Sequence, residues 1–346
     1  MRMRRASRKS RPARCHPVRR LRRRFDLTPQ AYARVATVAL VALALIVLTG
    51  AGVRLTGSGL GCPDWPKCFG SVVAPLKTHA VIEYGNRLVS GVVGLIAVGA
   101  FAGAFLRTPR RRDLIRLSAL LPLGIVAQAV LGGFTVRNHL APGYVMAHFG
   151  LSMLVLIAAV ALAWRARHEP GDRPRAHDRL TTWTVRALLP IGAIAIFAGT
   201  GATAAGPHAG GAGTGDVVHR LTFKGNETLD WVIHQHAFVA ALLGVLALAA
   251  TILVWRRPGI DRQLRDAVTI TTVLLAAQGL VGETQYTLKL PTEMVWVHVA
   301  LATATWLAIL WAVAAAGRLA PRASRELEEE LDDLELSPPV GAAGRR

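Results

Sequence analysis

Eight stretches of this chain stay apolar for about twenty residues or more, and that removes most soluble folds from consideration. They lie near 32–53, 80–106, 114–135, 143–164, 183–205, 229–255, 266–285 and 293–317. At a rise of about 1.5 Å per residue, each is long enough to cross roughly 30 Å of hydrocarbon as a helix. Strand-like alternation is scarce, so helices rather than a barrel must satisfy the backbone in lipid. The predicted fold class is an all-α polytopic membrane protein with eight transmembrane helices.

The eight runs are two copies of four. His298, in Glu293-Met294-Val295-Trp296-Val297-His298-Val299-Ala300, has His148 as its counterpart 150 residues earlier. Ala127-Gln128 is echoed by Ala277-Gln278, Gly132 by Gly282, and Asn86 by His236 at the same offset. Each copy therefore carries a polar pair 62 residues apart: Asn86 with His148, and His236 with His298. A lone histidine in an apolar run is more often a packed core residue than a ligand, but a repeated pair asks for a common role. Four spans per copy is an even number, so both copies share one orientation. The expected arrangement is two tandem four-helix bundles related by a pseudo-twofold along the membrane normal.

The net charge of +20 invites a nucleic-acid reading, but its distribution argues against one. Basic residues crowd the tail from Arg2 to Arg24 and alternate loops: 107–112, 165–179 and 256–265. This positive-inside pattern places both termini in the cytoplasm of a cell-membrane protein and leaves anionic lipid, not nucleic acid, as partner. No cleavable signal peptide is evident. The expected organisation is a basic cytoplasmic tail at 1–30, a first bundle at 31–165, a Pro- and Gly-containing linker at 166–182, a second bundle at 183–317 and an acidic tail at 318–346. Cys15, in the basic tail, is expected to stay reduced.

By the same charge rule the loop after the first span is outside, where thiols oxidise. Its Cys62 and Cys68 enclose five turn-forming residues; a disulfide is sterically reasonable, two free thiols are the alternative, and a metal pair lacks matching donors. The second span begins with His79, Glu83, Asn86 and Arg87, spaced to fall on one helical face. Arg87 snorkelling beside a neutralising Glu83 is the plainer reading, though four polar groups on one stripe exceed what anchoring needs.

Asn86, His148, His236 and His298 each lie within about seven residues of the outer ends of their helices, so roughly 10 Å deep. Two histidines at matched depth on neighbouring helices suit bis-imidazole ligation of a haem, with nearby glycines admitting a planar macrocycle. Zinc, the competitor, wants three or four compact donors, and the second copy supplies only His236, His298 and possibly His234. His234 and His236 point different ways on a helix, and register with Asn86 selects His236.

The segments Arg54-Leu55-Thr56-Gly57-Ser58-Gly59-Leu60-Gly61-Cys62-Pro63-Asp64-Trp65-Pro66, Ile82-Glu83-Tyr84 with Asn86-Arg87, and Gly206-Pro207-His208-Ala209-Gly210 resemble the haem A synthase family. The resemblance covers about residues 30–317. It implies oxidation of the C8 methyl of haem O to the formyl of haem A, for assembly of a terminal oxidase. It implies a haem b on His236 and His298 serving electron transfer, a substrate haem site in the first half with His148 as ligand, an essential Glu83, and a Cys62–Cys68 disulfide. By the charge rule the haem sites are expected towards the outer face. Many relatives carry histidine where this chain has Asn86, and an amide is a poor iron ligand; His79 is the nearest substitute.

A site with one firm ligand suits exchange of a substrate haem, while Glu83 suits a proton acceptor or cation stabiliser at the methyl group. Arg54, Arg87 and His208 are candidates for haem propionates, with surface solvation the alternative for each. The implied partners are haem O and a haem O synthase, an electron donor the sequence does not identify, and membrane lipid; a homo-oligomer is open, the sequence being silent on oligomeric state. The rival readings are a b-type cytochrome exchanging electrons with quinone and a repeat-built transporter, which predicts matched helix breaks; Pro122 and Pro190 do not match at offset 150. Farnesyl transfer is disfavoured because no Asp-rich diphosphate motif is present.

Overall fold

The computed structural model describes residues 26–172, 175–176 and 178–319. The expectations for most of the basic tail, for Cys15 and for the acidic tail fall outside those residues. Eight long helices account for nearly all of the rest: α1 Pro29–Leu55, α2 Thr78–Leu106, α3 Arg112–Arg137, α4 Pro142–Arg167, α5 Arg179–Ala205, α6 Thr228–Arg256, α7 Arg262–Thr287 and α8 Thr292–Ala315. All eight are long and apolar enough to cross a membrane; the chain is a multi-pass membrane protein.

Several helices extend beyond the apolar runs because polar residues cap them. Thr28 accepts the Ala31 N–H ahead of Pro29 at the first helical position, and Asp178 accepts the N–H groups of Leu180 and Thr181. Asp261 does the same for Gln263. Each side chain satisfies a donor that has no partner within its helix. Pro122 and Pro190 sit inside α3 and α5, and both helices run through them. The unwound segments that a transporter reading expects do not occur there.

The repeat is visible in the backbone. Pro29 and Arg179, Thr78 and Thr228, Arg112 and Arg262, and Pro142 and Thr292 begin corresponding helices, each pair 150 residues apart. The turns that set up α4 and α8 are also equivalent. His139 and Leu140 have φ of 48° and 56°, Lys289 and Leu290 of 61° and 63°, a left-handed conformation unfavourable for side chains with a Cβ. The same two hydrogen bonds hold each turn: Leu140 N–H to Thr135 and His139 N–H to Val136, Leu290 N–H to Gln285 and Lys289 N–H to Tyr286. The turns fix where α4 and α8 start, and so the depth of His148 and His298.

Within each half the helices touch in a closed ring, α1–α2–α3–α4 and α5–α6–α7–α8. The halves meet through α1 with α8, α4 with α5, and α4 with α8. One apolar core is built around α1 to α4, including Tyr32, Leu121, Leu156 and Leu162, and a second around α5 to α8, including Val185, Leu188, Val254 and Val268. Trp306 of α8 enters the first core and donates its indole N–H to the Met153 carbonyl at 3.2 Å. At one end of the molecule a fully buried Arg107 pairs with Glu169, and Arg111 pairs with Asp113 at 2.8 Å. Burying these guanidinium groups is tolerable because both are paired.

Candidate haem sites and the loop above them

The opposite end carries the loops 56–77 and 206–227, and these lock together across the two halves. Gly59 N–H donates to the Gly210 carbonyl at 2.8 Å, and Gly213 N–H to the Gly57 carbonyl at 3.1 Å. Gly57 has φ of +68°, and a Cβ there would lie 2.3 Å from the Gly213 nitrogen. No other residue type fits that crossing. A Cβ on Gly213 would lie 2.2 Å from Cε1 of His79, whose Nδ1 is 2.8 Å from the Ser58 hydroxyl.

Cys62 and Cys68 form a disulfide, and both are fully buried. Their loop is moulded onto the start of α2. Glu83 is buried; its Oε2 accepts the Cys62 N–H at 2.7 Å and its Oε1 meets Arg87 Nη2 at 2.5 Å. Arg87 also donates to the carbonyls of Asp64 and Lys67 at 3.0–3.2 Å and of Cys62 at 3.4 Å. Asp64 accepts the N–H groups of Phe69 and Gly70 at 2.6 and 2.8 Å, which hold its carboxyl below the ordinary carboxylate range. Trp65 lies against Gly133 of α3, where a Cβ would come within 2.8 Å of the indole, and its carbonyl accepts from Arg137 at 3.1 Å. Three of the four polar residues on the α2 stripe thus grip the loop, His79 through its Nδ1. Asn86 alone is left, its Oδ1 buried without a partner.

In the second half His236 and His298 face one another. Their ring centroids are 6.2 Å apart, with the planes inclined at 76°. Two imidazoles sharing one metal ion, each at a bond of about 2 Å, need a centroid separation of roughly 6 Å. His236 Nδ1 lies 2.9 Å from the Ala195 carbonyl, which leaves Nε2 as the free ring nitrogen. His298 Nδ1 is buried without a partner, as is His148 Nδ1. Each of these Nδ1 atoms lies on the side of its ring packed against a glycine, Gly282 and Gly132 respectively, so a bound group would meet the opposite nitrogen, Nε2, as at His236. His234 points elsewhere: exposed, its Nδ1 lies 2.8 Å from the Asp230 carbonyl and 3.5 Å from the Asp230 carboxylate. Among the described residues no three His, Cys, Asp or Glu side chains converge as a metal site of their own.

The supports of these histidines repeat. Gln128 donates to the His148 carbonyl at 3.1 Å, and Gln278 to the His298 carbonyl at 3.1 Å. A Cβ on Gly132 would lie 3.3 Å from His148 Cε1, and one on Gly282 would lie 3.2 Å from His298 Cε1. Gly199 does the same for His236 at 3.0 Å. These glycines make room for imidazole rings rather than for a macrocycle, which revises what the sequence suggested of them. The Gly199 contact and the loop grip on Glu83 had no sequence signal, since each joins residues with no shared periodicity.

The propionate candidates are all tied to protein atoms. Arg54 Nη1 donates to the His208 carbonyl at 3.0 Å, His208 Nε2 lies 2.8 Å from the Leu290 carbonyl, and Arg87 holds the loop. Arg54 and His208 thereby stitch the halves together. A guanidinium has five N–H donors, so Arg54, with one such bond, keeps capacity beyond it, whereas both terminal nitrogens of Arg87 are fully engaged.

A "Heme A synthase" from Shewanella oneidensis is 31% identical over 180 residues, covering 46% of this chain and 51% of that protein. One from Alkalihalophilus pseudofirmus is 34% identical over 124 residues, 35% of this chain and 42% of the relative. A "Protoheme IX farnesyltransferase" from Halobacterium salinarum is 32% identical over 149 residues, 42% of this chain and 32% of that relative. The chain thus spans about half the length, or less, of these curated relatives. The family model described as "Cytochrome oxidase assembly protein" (COX15-CtaA) matches residues 33–219, from α1 into the loop between α5 and α6, ending before His236. Because that match takes in more than half of the sequence, the chain belongs to the COX15-CtaA family of cytochrome oxidase assembly proteins.

Proposed function

We propose that this protein is a haem A synthase that oxidises the C8 methyl of haem O to a formyl group. The observation that carries the reading is the facing pair His236 and His298, repeated 150 residues away as Asn86 and His148 with one imidazole missing. The relatives named Heme A synthase support it. The relative named for farnesyl transfer is matched over 32% of its length and supports neighbouring haem chemistry. In this reading residues 31–165 and 183–317 are two bundles related by a pseudo-twofold along the membrane normal. Both termini are cytoplasmic and the haem sites lie towards the outer face.

His236 and His298 would hold a haem b, which when bound supplies reversible one-electron transfer. The chain's part is to fix both rings: the Ala195 carbonyl orients His236 through Nδ1, and Gln278 anchors the backbone of His298. In the first half His148 is held the same way by Gln128 and is the single firm ligand for substrate haem O. Asn86, with an unpartnered amide oxygen, leaves the opposite side free for exchange. Glu83 lies one turn outward of Asn86 and is the candidate proton acceptor at the reacting methyl. Arg87 pairs with it, and the disulfide loop covers it from the aqueous side. Turning a methyl into a formyl group removes four electrons and adds one oxygen atom, so the reaction also needs an external oxidant and oxygen source beside the electron-transfer partner and a haem O synthase that delivers substrate.

A b-type cytochrome is the second reading, favoured by the engagement of both Glu83 oxygens with loop and arginine. Expression of the chain beside a haem O source, with chromatography of extracted haems, separates the two: haem A appears only under the first.

A further inference from the structure

Away from both histidine sites, α1 and the end of α4 enclose an open groove of about 650 Å³. Its lining holds Arg34 and Arg167 at one end, Thr37 beside them, then Val38, Val41 and Leu45, with no acidic side chain. The three apolar residues are about half exposed. From Arg34 to Leu45 the helix rises roughly 16 Å, about half of a 30 Å hydrocarbon core. The stripe therefore spans one leaflet and has its two cations at the headgroup end. Arg167 is already oriented: it donates to the Thr37 hydroxyl at 3.1 Å and lies over the Trp311 ring at 5.3 Å. Arg34, one turn from Thr37 on the same face, is exposed and has no ion-pair partner among the described residues.

We propose that this groove binds one anionic phospholipid, its phosphate between Arg34 and Arg167 and an acyl chain along Val38, Val41 and Leu45. Basic pockets beside transmembrane helices at the headgroup level select anionic lipids by this charge complementarity. A planar guanidinium also matches a phosphate better than an ammonium does.

Native mass spectrometry of the full chain, released from detergent after exposure to equal amounts of phosphatidylglycerol and phosphatidylcholine with the same acyl chains, tests the site. Both lipids carry the phosphate, but choline neutralises it in phosphatidylcholine, so wild type should retain phosphatidylglycerol with about thirtyfold preference, the order expected of two arginines at about 1 kcal/mol each. The double variant Arg34→Gln/Arg167→Gln should fall towards parity, and Arg34→Lys/Arg167→Lys should keep most of the preference. The basic tail is present in all three, so their ratio isolates the groove. Should loss of Arg167 disturb packing, Val38→Trp/Val41→Trp fills the apolar stripe with both arginines intact and should also lower retention. An unchanged preference in the double glutamine variant overturns the proposal, as does parity in wild type. So does rapid, complete disulfide dimerisation of Val41→Cys, which would make the groove a contact between two copies.

Discussion

The backbone N–H of Cys62 donates to Oε2 of Glu83 at 2.7 Å, so the disulfide loop and the proposed proton acceptor are one unit. Glu83→Gln keeps shape and most hydrogen bonding while removing charge and basicity. The expected protein retains haem b and accumulates haem O or an alcohol intermediate, with haem A formation down by about 10²-fold or more. Chromatography of extracted haems reads this directly. Wild-type haem A from the variant would leave Glu83 as the partner of Arg87 alone.

Replacing His236 or His298 by Ala should abolish the low-spin haem b spectrum, since each removes one of only two facing imidazoles. His234→Ala should leave the spectrum in place, its ring being turned towards Asp230. Loss of haem from His234→Ala, with His236→Ala retaining it, would contradict the assignment.

Gly282→Ala and Gly199→Ala place a methyl about 3 Å from an imidazole carbon of His298 and His236 respectively. Each should weaken haem b retention and shift the spectrum. Gly279→Ala, where nothing lies within 4 Å of the added Cβ, should do neither. Visible spectra of the three purified variants make the comparison.

Opening the Cys62–Cys68 loop by Cys→Ser substitution removes a cross-link whose closure constrains the unfolded chain by about 2–3 kcal/mol. Lower yield and a lower melting temperature are expected, with haem b retained in the protein that folds. Peptide mass analysis without reductant should find Cys62 and Cys68 linked in wild type.

Asp64 contributes a pH dependence to the same loop. Its carboxyl is held below its ordinary value of 3.8 by the N–H groups of Gly70 and Phe69. The stabilisation is therefore fully present above about pH 4 and is lost as pH falls through the lowered native value. Proteolysis within 62–70 should accelerate only in that acid range, and Asp64→Asn should bring the faster rate to neutral pH.

The apolar runs revealed all eight helices because lipid leaves the backbone little choice, and the offset of 150 exposed Asn86, His148, His236 and His298 together. Helix ends were less legible: Asp178 caps α5 five residues before its apolar run, and hydropathy does not register a cap. The paired turns at His139–Leu140 and Lys289–Leu290 carry no glycine, so nothing in their composition announces a left-handed conformation. The stripe His79, Glu83, Asn86 and Arg87 was visible as a pattern, but its main task was not. Its partners Ser58, Cys62 and Asp64 lie about twenty residues earlier and act largely through backbone atoms, which side-chain identity does not encode.

The most direct test of the account is chromatography of haems extracted from membranes of a host that makes haem O but no haem A, with and without this chain. The account predicts a haem A peak that depends on the chain and disappears in His148→Ala. Haem O alone in the presence of a folded chain that carries haem b would contradict it and leave an electron-transfer cytochrome in its place.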